Sequence, residues 1–145
     1  MGGSGGAVSE GDGVIQCRVY GIPQPKGSMR AFMPKGSRYP VLTSSNKRVK
    51  QWEQAIRFAA QEHAGKLLTG AVAVEIRFAL PRPKSLAKKV TEHTKRPDLD
   101  KLVRVMDALT GVIWRDDSQV VELVASKSYA EPDEPPYVDI SVRAV

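Results

Sequence analysis

The sequence predicts an α+β fold, a small mixed β-sheet with two helices packed on one face in the order β-α-β-α-β-β. Apolar and polar residues alternate at strand length, most clearly over 14–20, 71–80 and 137–145. Between them, 46–63 and 98–109 repeat apolar residues at the three- and four-residue spacing of a helix. The 145 residues contain no internal repeat and suit one domain that can build a core without staples. Two helices covering one face of a sheet is the economical way to bury these stripes.

Each element has its own signal. Residues 1–13, mostly Gly and small residues, read as a disordered tail, with one domain over 14–145. Val14 to Tyr20 places Ile15, Cys17 and Val19 on one face of a half-buried strand. Gly21 to Ser45, rich in Gly, Pro, Ser and basic residues, reads as a long loop, a feature that is often functional. Asn46 is placed to cap a helix to about His63, with Val49, Trp52, Ile56, Ala59 and Ala60 on its apolar stripe and Gly65 ending it. Ala71 to Leu80 is the clearest strand, with Val72, Val74, Ile76, Phe78 and Leu80 on one face. Residues 81–97 form a second loop between prolines, and a second helix is expected from Asp98 to Leu109, ending near Gly111. Ser118 to Tyr129 reads as a strand, 131–136 as a turn, and Tyr137 to Val145 as a last strand with Val138, Ile140 and Val142 inward.

Composition narrows the function classes. No stretch approaches the length of a membrane span, and no secretory leader opens the chain. The single cysteine, Cys17, fits a reducing, cytoplasmic compartment and reads as a small buried hydrophobe. With His63 and His93 thirty positions apart, a zinc site of ordinary spacing is excluded. The net charge of +6 and pI of about 9.6 favour a polyanionic partner, nucleic acid first. Residues 26–50 hold seven basic residues and no acid (Lys26, Arg30, Lys35, Arg38, Lys47, Arg48 and Lys50). Residues 82–97 hold six (Arg82, Lys84, Lys88, Lys89, Lys95 and Arg96) against Glu92 alone. The acids collect instead between Asp98 and Glu134. Basic loops beside an acidic cluster suit metal-assisted chemistry on phosphates, cations gripping the backbone and carboxylates holding the metal.

The chemistry concentrates in Lys95-Arg96-Pro97-Asp98-Leu99-Asp100-Lys101, then Asp107 to Gly111, then Trp114 to Val120. On the expected helix, Leu99, Leu102, Val103, Met106 and Leu109 form the apolar stripe and Asp100, Arg104 and Asp107 the opposite face. In an extended Asp98-Leu99 stretch the carboxylates of Asp98 and Asp100 point the same way, with Leu99 anchoring the pair in the core. Asp116 and Asp117 return toward one end of that helix. Oxygen ligands of this kind suit Mg²⁺, and Arg104, Lys101 or Lys127 is placed to neutralise charge developing on phosphate. Taken singly, each acid has an ordinary reading: Asp98 as an N-cap, Asp100 and Asp107 as a solvated face with Arg104, Asp116-Asp117 as a polar turn.

These residues together resemble the RusA family of Holliday-junction resolvases of bacteria, prophages and phages. The likeness rests on Pro97-Asp98-Leu99-Asp100, Asp107-Ala108-Leu109-Thr110-Gly111, Asp116-Asp117-Ser118-Gln119-Val120 and Lys127 in this order and spacing, with Pro23 to Ser28 like an opening common in phage members. The resemblance implies a Mg²⁺-dependent homodimer, with Mn²⁺ as a substitute, that nicks two opposing strands of a four-way junction symmetrically and leaves ligatable 5′-phosphate and 3′-hydroxyl ends. It implies Asp98, Asp100 and Asp117 as the metal-binding acids, Asp116 as a supporting one, and Arg104 where a catalytic Lys occurs in some members. Arg104 keeps that charge without acting as a proton donor at neutral pH. Lys101 stands where the family often has Asn. The DNA contacts are expected from Lys26, Arg30, Lys35, Arg38, Lys84, Lys88, Lys89, Lys95, Arg96, Lys101 and Lys127.

Two other readings stay open on the residues alone: a nuclease acting on flaps or single strands, and a non-catalytic DNA-binding module whose acids are structural. Trp52 reads as core. Trp114 reads as packing, with stacking on an unpaired base as the alternative. Phe32 and Tyr39 either grip unstacked DNA or close the first loop over the core.

Overall fold

A computed structural model describes residues 13–27, 30–32, 35–36, 38, 41–43 and 47–145. The expected tail, apart from Gly13, lies outside the described residues, as do Tyr39, the capping position Asn46 and the side chains of Arg30 and Phe32.

Strand β1 (Val14–Tyr20) opens the fold, and a two-stranded ribbon of β2 (Arg30–Phe32) and β3 (Val41–Thr43) follows. Helix α1 (Lys47–His63) and strand β4 (Val72–Leu80) come next, then the short helix α2 (Leu99–Val103), β5 (Val120–Tyr129) and β6 (Tyr137–Ala144). The main sheet has the order β1-β6-β4-β5, antiparallel except for the parallel pair β4 and β5. Among the described residues the ribbon is the one departure from the expected strand order: its strands are three residues long, too short to show alternation, inside what the sequence presents as a loop.

Alternation translates directly into burial. Val72, Val74, Ile76, Phe78 and Leu80 of β4 join Val138, Ile140 and Val142 of β6 and Cys17 and Val19 of β1 in one core. Trp52, Ile56 and Ala60 of α1 and Leu102, Val105 and Leu109 of the second helical segment pack on the same core. Cys17 is free and buried, and burial, then the charge of Asp139, pushes its thiol up to about 11. At Gly21 φ is +146°, and a Cβ would stand 2.7 Å from the Trp52 ring, so the chain turns from β1 over α1 on a residue without a side chain.

The second helix is not uniform. Only Leu99–Val103 is α-helical, and Arg104–Leu109 tightens into a 3₁₀ turn. A 3₁₀ turn has three residues per turn, so side chains three apart stack in line. Val105 and Ala108 are buried below Leu102 of α2, with Leu109 buried beside them, while Arg104, Asp107 and Thr110 follow one another three apart. Asp117–Gln119 is a second 3₁₀ turn, which moves the start of β5 from the expected Ser118 to Val120.

Parallel neighbours require a long crossover. The crossover from β4 to β5 carries the basic loop, α2, both 3₁₀ turns and every acid singled out from the sequence. Among the described residues no helix is long and apolar enough to cross a membrane.

Candidate active site

Asp98 is the N-cap residue of α2, in extended conformation (φ −71°, ψ 141°), yet its side chain makes no capping hydrogen bond. The helix begins at Leu99, so the extended stretch expected through Leu99 is limited to Asp98. Leu99 packs against the core as anticipated, and Asp98 and Asp100 are exposed on either side of it. Arg104 Nη2 stands 3.9 Å from Asp100 Oδ2, one helical turn on.

Asp116 and Asp117 differ sharply. Asp116 Oδ1 accepts from Ser118 N at 2.9 Å, and Gln119 Oε1 accepts from Asp116 N at 2.8 Å, a reciprocal capping box. The Ser118 bond holds the Asp116 carboxylate below its ordinary range. Gln119 also donates to Leu68 O and Gly70 O at 2.8 and 2.9 Å, fixing this corner to the start of β4. Asp116 therefore builds the turn that presents its neighbour.

Asp117 Oδ1 accepts from Thr110 Oγ1 and, at 3.2 Å, from Trp114 Nε1, which also donates to Thr110 Oγ1 at 3.0 Å. Trp114 itself is fully buried. It is core, as the packing reading held, and its indole N–H reaches out of that core to hold a carboxylate. The Thr110 hydroxyl first, with Trp114 and Asp107 assisting, holds Asp117 below the usual carboxylate range against its partial burial.

Asp107, whose carboxyl interacts with that of Asp117, is the neighbour the sequence reading left off its metal set. Desolvation, then that contact with Asp117, pushes its carboxyl up, while Lys26 pulls it down. Lys26 Nζ lies 2.9 Å from Glu53 Oε2 on α1 and 3.3 Å from Asp107 Oδ2. Burial depresses the Lys26 ammonium's pKa, but Glu53 and Asp107 together more than restore it. Its backbone is fixed as well: Lys26 N donates to Lys101 O at 2.9 Å, and Arg104 Nη1 approaches Lys26 O at 3.5 Å. Arg57 from α1 donates to Ala108 O at 3.1 Å and Thr110 O at 3.4 Å, pinning the end of the 3₁₀ turn.

The structure thus brings together Asp117, Asp107, Thr110, Trp114 and Lys26. Among the described residues no three of His, Cys, Asp and Glu gather into a ready cage. What is assembled is a carboxylate pair, and one or two carboxylates, with waters and substrate phosphate oxygens, are the usual complement of Mg²⁺. Two acids in contact repel unless a proton or cation lies between them, so the donor set fits a hard divalent ion.

The basic residues divide by setting. Lys84, Lys88, Lys89, Lys95, Arg96 and Lys101 are exposed, as are Lys35 and Arg38. Arg82 is structural: it donates to Ala130 O, Ala87 O and Val90 O at 2.8, 3.0 and 2.5 Å, and lies 5.7 Å over the Tyr129 ring. Lys127, expected to contact phosphate, is half-buried and donates to Lys95 O at 2.6 Å and Pro97 O at 2.9 Å. That bracket holds the segment that delivers Asp98. His93, read as a solvated loop residue, packs instead against Tyr129 with ring centroids 4.6 Å apart.

Two comparisons bear on this arrangement. The family model described as "Endodeoxyribonuclease RusA" matches residues 23–143. The chain is also 32% identical over 142 residues to the "Uncharacterized protein YqaN" of Bacillus subtilis (strain 168), covering 90% of this chain and 96% of that protein.

Proposed function

The chain belongs to the RusA family of endodeoxyribonucleases, and from that premise we propose that it resolves four-way DNA junctions by paired, symmetric, Mg²⁺-dependent nicks. The observation that carries this reading is the Asp117 carboxylate held by Thr110 and Trp114, with Asp107 beside it and Lys26 on Asp107. We assign Asp98, Asp100 and Asp117 to the metal, with Mn²⁺ able to replace Mg²⁺; the structure pairs Asp117 with Asp107 and, among the described residues, gathers no three of these acids at one point. A metal bound there lowers the pKa of a water and polarises the scissile phosphate. Arg104 places a permanent positive charge beside Asp100, suited to phosphate oxygens rather than to proton transfer. Asp116 supports the site by shaping the turn.

The partner is branched DNA, gripped by the two basic loops, and the working unit is a homodimer in the cytoplasm of a bacterial or phage-infected cell. Two nicks in one encounter need two centres related by a two-fold axis that matches the junction. The outer edge strand β5 exposes Val121, Leu123 and Val124, apolar surface of the kind that a second copy covers.

The test is cleavage of a synthetic four-way junction beside a linear duplex and a flap, with Mg²⁺ and with EDTA, for the native protein and Asp100→Asn. Paired symmetric nicks in the junction, lost with EDTA and in the variant, are the expected result. Tight binding without cleavage under any metal would leave a DNA-binding module; equal cleavage of the flap would leave a nuclease of looser preference. Replacing Lys88 and Lys89 together weakens binding to every branched substrate. It also lowers the slope of log affinity against log salt by about one per lost phosphate contact, which a titration at several salt concentrations reads directly.

A further inference from the structure

Lys26 does not behave like the other basic residues assigned to DNA. The described side chains of Lys35, Arg38, Lys84, Lys88, Lys89, Lys95, Arg96 and Lys101 are exposed, as a backbone grip requires. The Lys26 side chain is only 31% exposed, and its ammonium points at acids from two elements, Glu53 on α1 and Asp107 on the 3₁₀ turn. Asp107 in turn meets Asp117. The loop cannot simply swing this side chain away, because Lys26 is tied through its own backbone to Lys101. A cleft of about 340 Å³, walled by Lys26, Lys50, Glu53, Arg57 and Asp107, opens onto the ammonium from solvent.

We propose that Lys26 belongs to the reaction centre as a fixed internal cation that shares the Asp107–Asp117 carboxylates with the incoming divalent metal and faces the scissile phosphodiester across the cleft. The inference rests on the nuclease reading above. The charge on Lys26 is constant throughout. Without a bound cation it offsets the repulsion of two adjoining carboxylates, and with DNA present it offsets the repulsion between those carboxylates and the phosphate. Glu53 sets the balance by drawing the ammonium toward α1 and away from Asp107. Two opposite consequences follow for metal affinity. Removing Lys26 removes a competitor for the carboxylates, and removing Glu53 leaves the ammonium wholly to Asp107.

The experiment measures Mn²⁺ binding to the full chain without DNA, by calorimetry or by the electron paramagnetic resonance of free Mn²⁺, for the native protein, Lys26→Gln, Lys26→Arg and Glu53→Gln. Single-turnover junction cleavage and junction affinity are measured on the same proteins. Lys26→Gln binds Mn²⁺ about tenfold more tightly, from the loss of a unit charge a few ångströms away. It cleaves at least a hundredfold more slowly at saturation, with junction affinity within about threefold of native, the size of one lost phosphate contact. Lys26→Arg returns Mn²⁺ affinity toward native, and Glu53→Gln binds Mn²⁺ more weakly than native. Unchanged Mn²⁺ affinity in both Lys26→Gln and Glu53→Gln overturns the inference, as does a Lys26→Gln protein that loses junction affinity at an unchanged cleavage rate. If the native protein cleaves no junction, the resolvase reading fails by itself. The opposite shifts in Mn²⁺ affinity then still decide the placement of Lys26.

Discussion

Asp117→Asn abolishes junction cleavage, by on the order of a thousandfold or about 4 kcal/mol of barrier, and leaves junction binding intact or tighter. The carboxylate concerned is held by two donors, the Thr110 hydroxyl and the Trp114 indole N–H, which together leave it ionised and fixed in direction. Asparagine keeps the volume but not the charge. If its amide nitrogen takes the position of Oδ1, it meets two donors and accepts from neither. If the amide turns over, a neutral oxygen remains where an anionic one held the metal. Binding does not suffer, because the lost charge is negative and the substrate is a polyanion. Single-turnover cleavage and a mobility-shift titration of the same junction check both halves. An unchanged rate would move the chemistry away from this carboxylate. The parallel change Asp116→Asn is far milder, since Asn caps helices about as well as Asp and the capping box with Gln119 survives.

The second large effect is on stability. Trp114 is fully buried, and Trp114→Ala costs about 3–5 kcal/mol through lost contacts and the cavity left behind. That is a large part of the roughly 5–15 kcal/mol that holds a domain folded, so thermal denaturation shows a protein that is marginal or unfolded at 37 °C. Trp114→Phe separates packing from hydrogen bonding. It keeps most of the ring volume, costs about 1–2 kcal/mol, and deprives Thr110 and Asp117 of a shared donor. The phenylalanine variant is expected to fold, to melt a few degrees lower and to cleave about tenfold more slowly, from the value of one net hydrogen bond to a charged group. A variant that melts lower at full catalytic rate would limit the indole N–H to a structural role.

Much of this was legible before any coordinates. Alternation located β1, β4 and β6 because each has one face in the core, and three- and four-residue spacing located α1 around Trp52 and Ile56. The segments that carry the family likeness include Asp107 and Thr110 beside Asp117, and their Pro23 to Ser28 opening includes Lys26, but Trp114 and Glu53 fall outside them. The 3₁₀ turn was harder, because over six residues a period of three is nearly indistinguishable from 3.6. Its trace was present in Leu102, Val105 and Ala108, three apart and all buried; the helical stripe included the buried Leu102 and Leu109 but took the partly buried Val103 and Met106 where Val105 and Ala108 are inward. That tightening aligns Asp107 with Thr110, so missing it meant missing Asp107 as a member of the site. Adjacent acids posed a second ambiguity. Asp116-Asp117-Ser118-Gln119 has the spacing of a capping box, which would have separated the structural acid from the presented one. The pairing of Lys26 with Glu53 joins residues 27 positions apart on different elements, and the partners of Lys127 are backbone carbonyls. Neither leaves a mark in local pattern.

The guanidinium of Arg82 gathers three carbonyls of its surroundings, and Lys127 closes the far end of the same loop. Lys84, Lys88 and Lys89 are therefore mounted on a scaffold whose shape is set before any nucleic acid arrives. A partner meeting such a surface has little backbone freedom left to freeze, so encounter is governed by diffusion and long-range attraction rather than by loop ordering. Under the proposed function the three exposed lysines would be separate footholds at fixed spacing, and a DNA arm whose phosphates did not match that spacing would gain from fewer of them. Selectivity for a bent or branched path can thus arise from the loop's rigidity alone, without a single contact to a base.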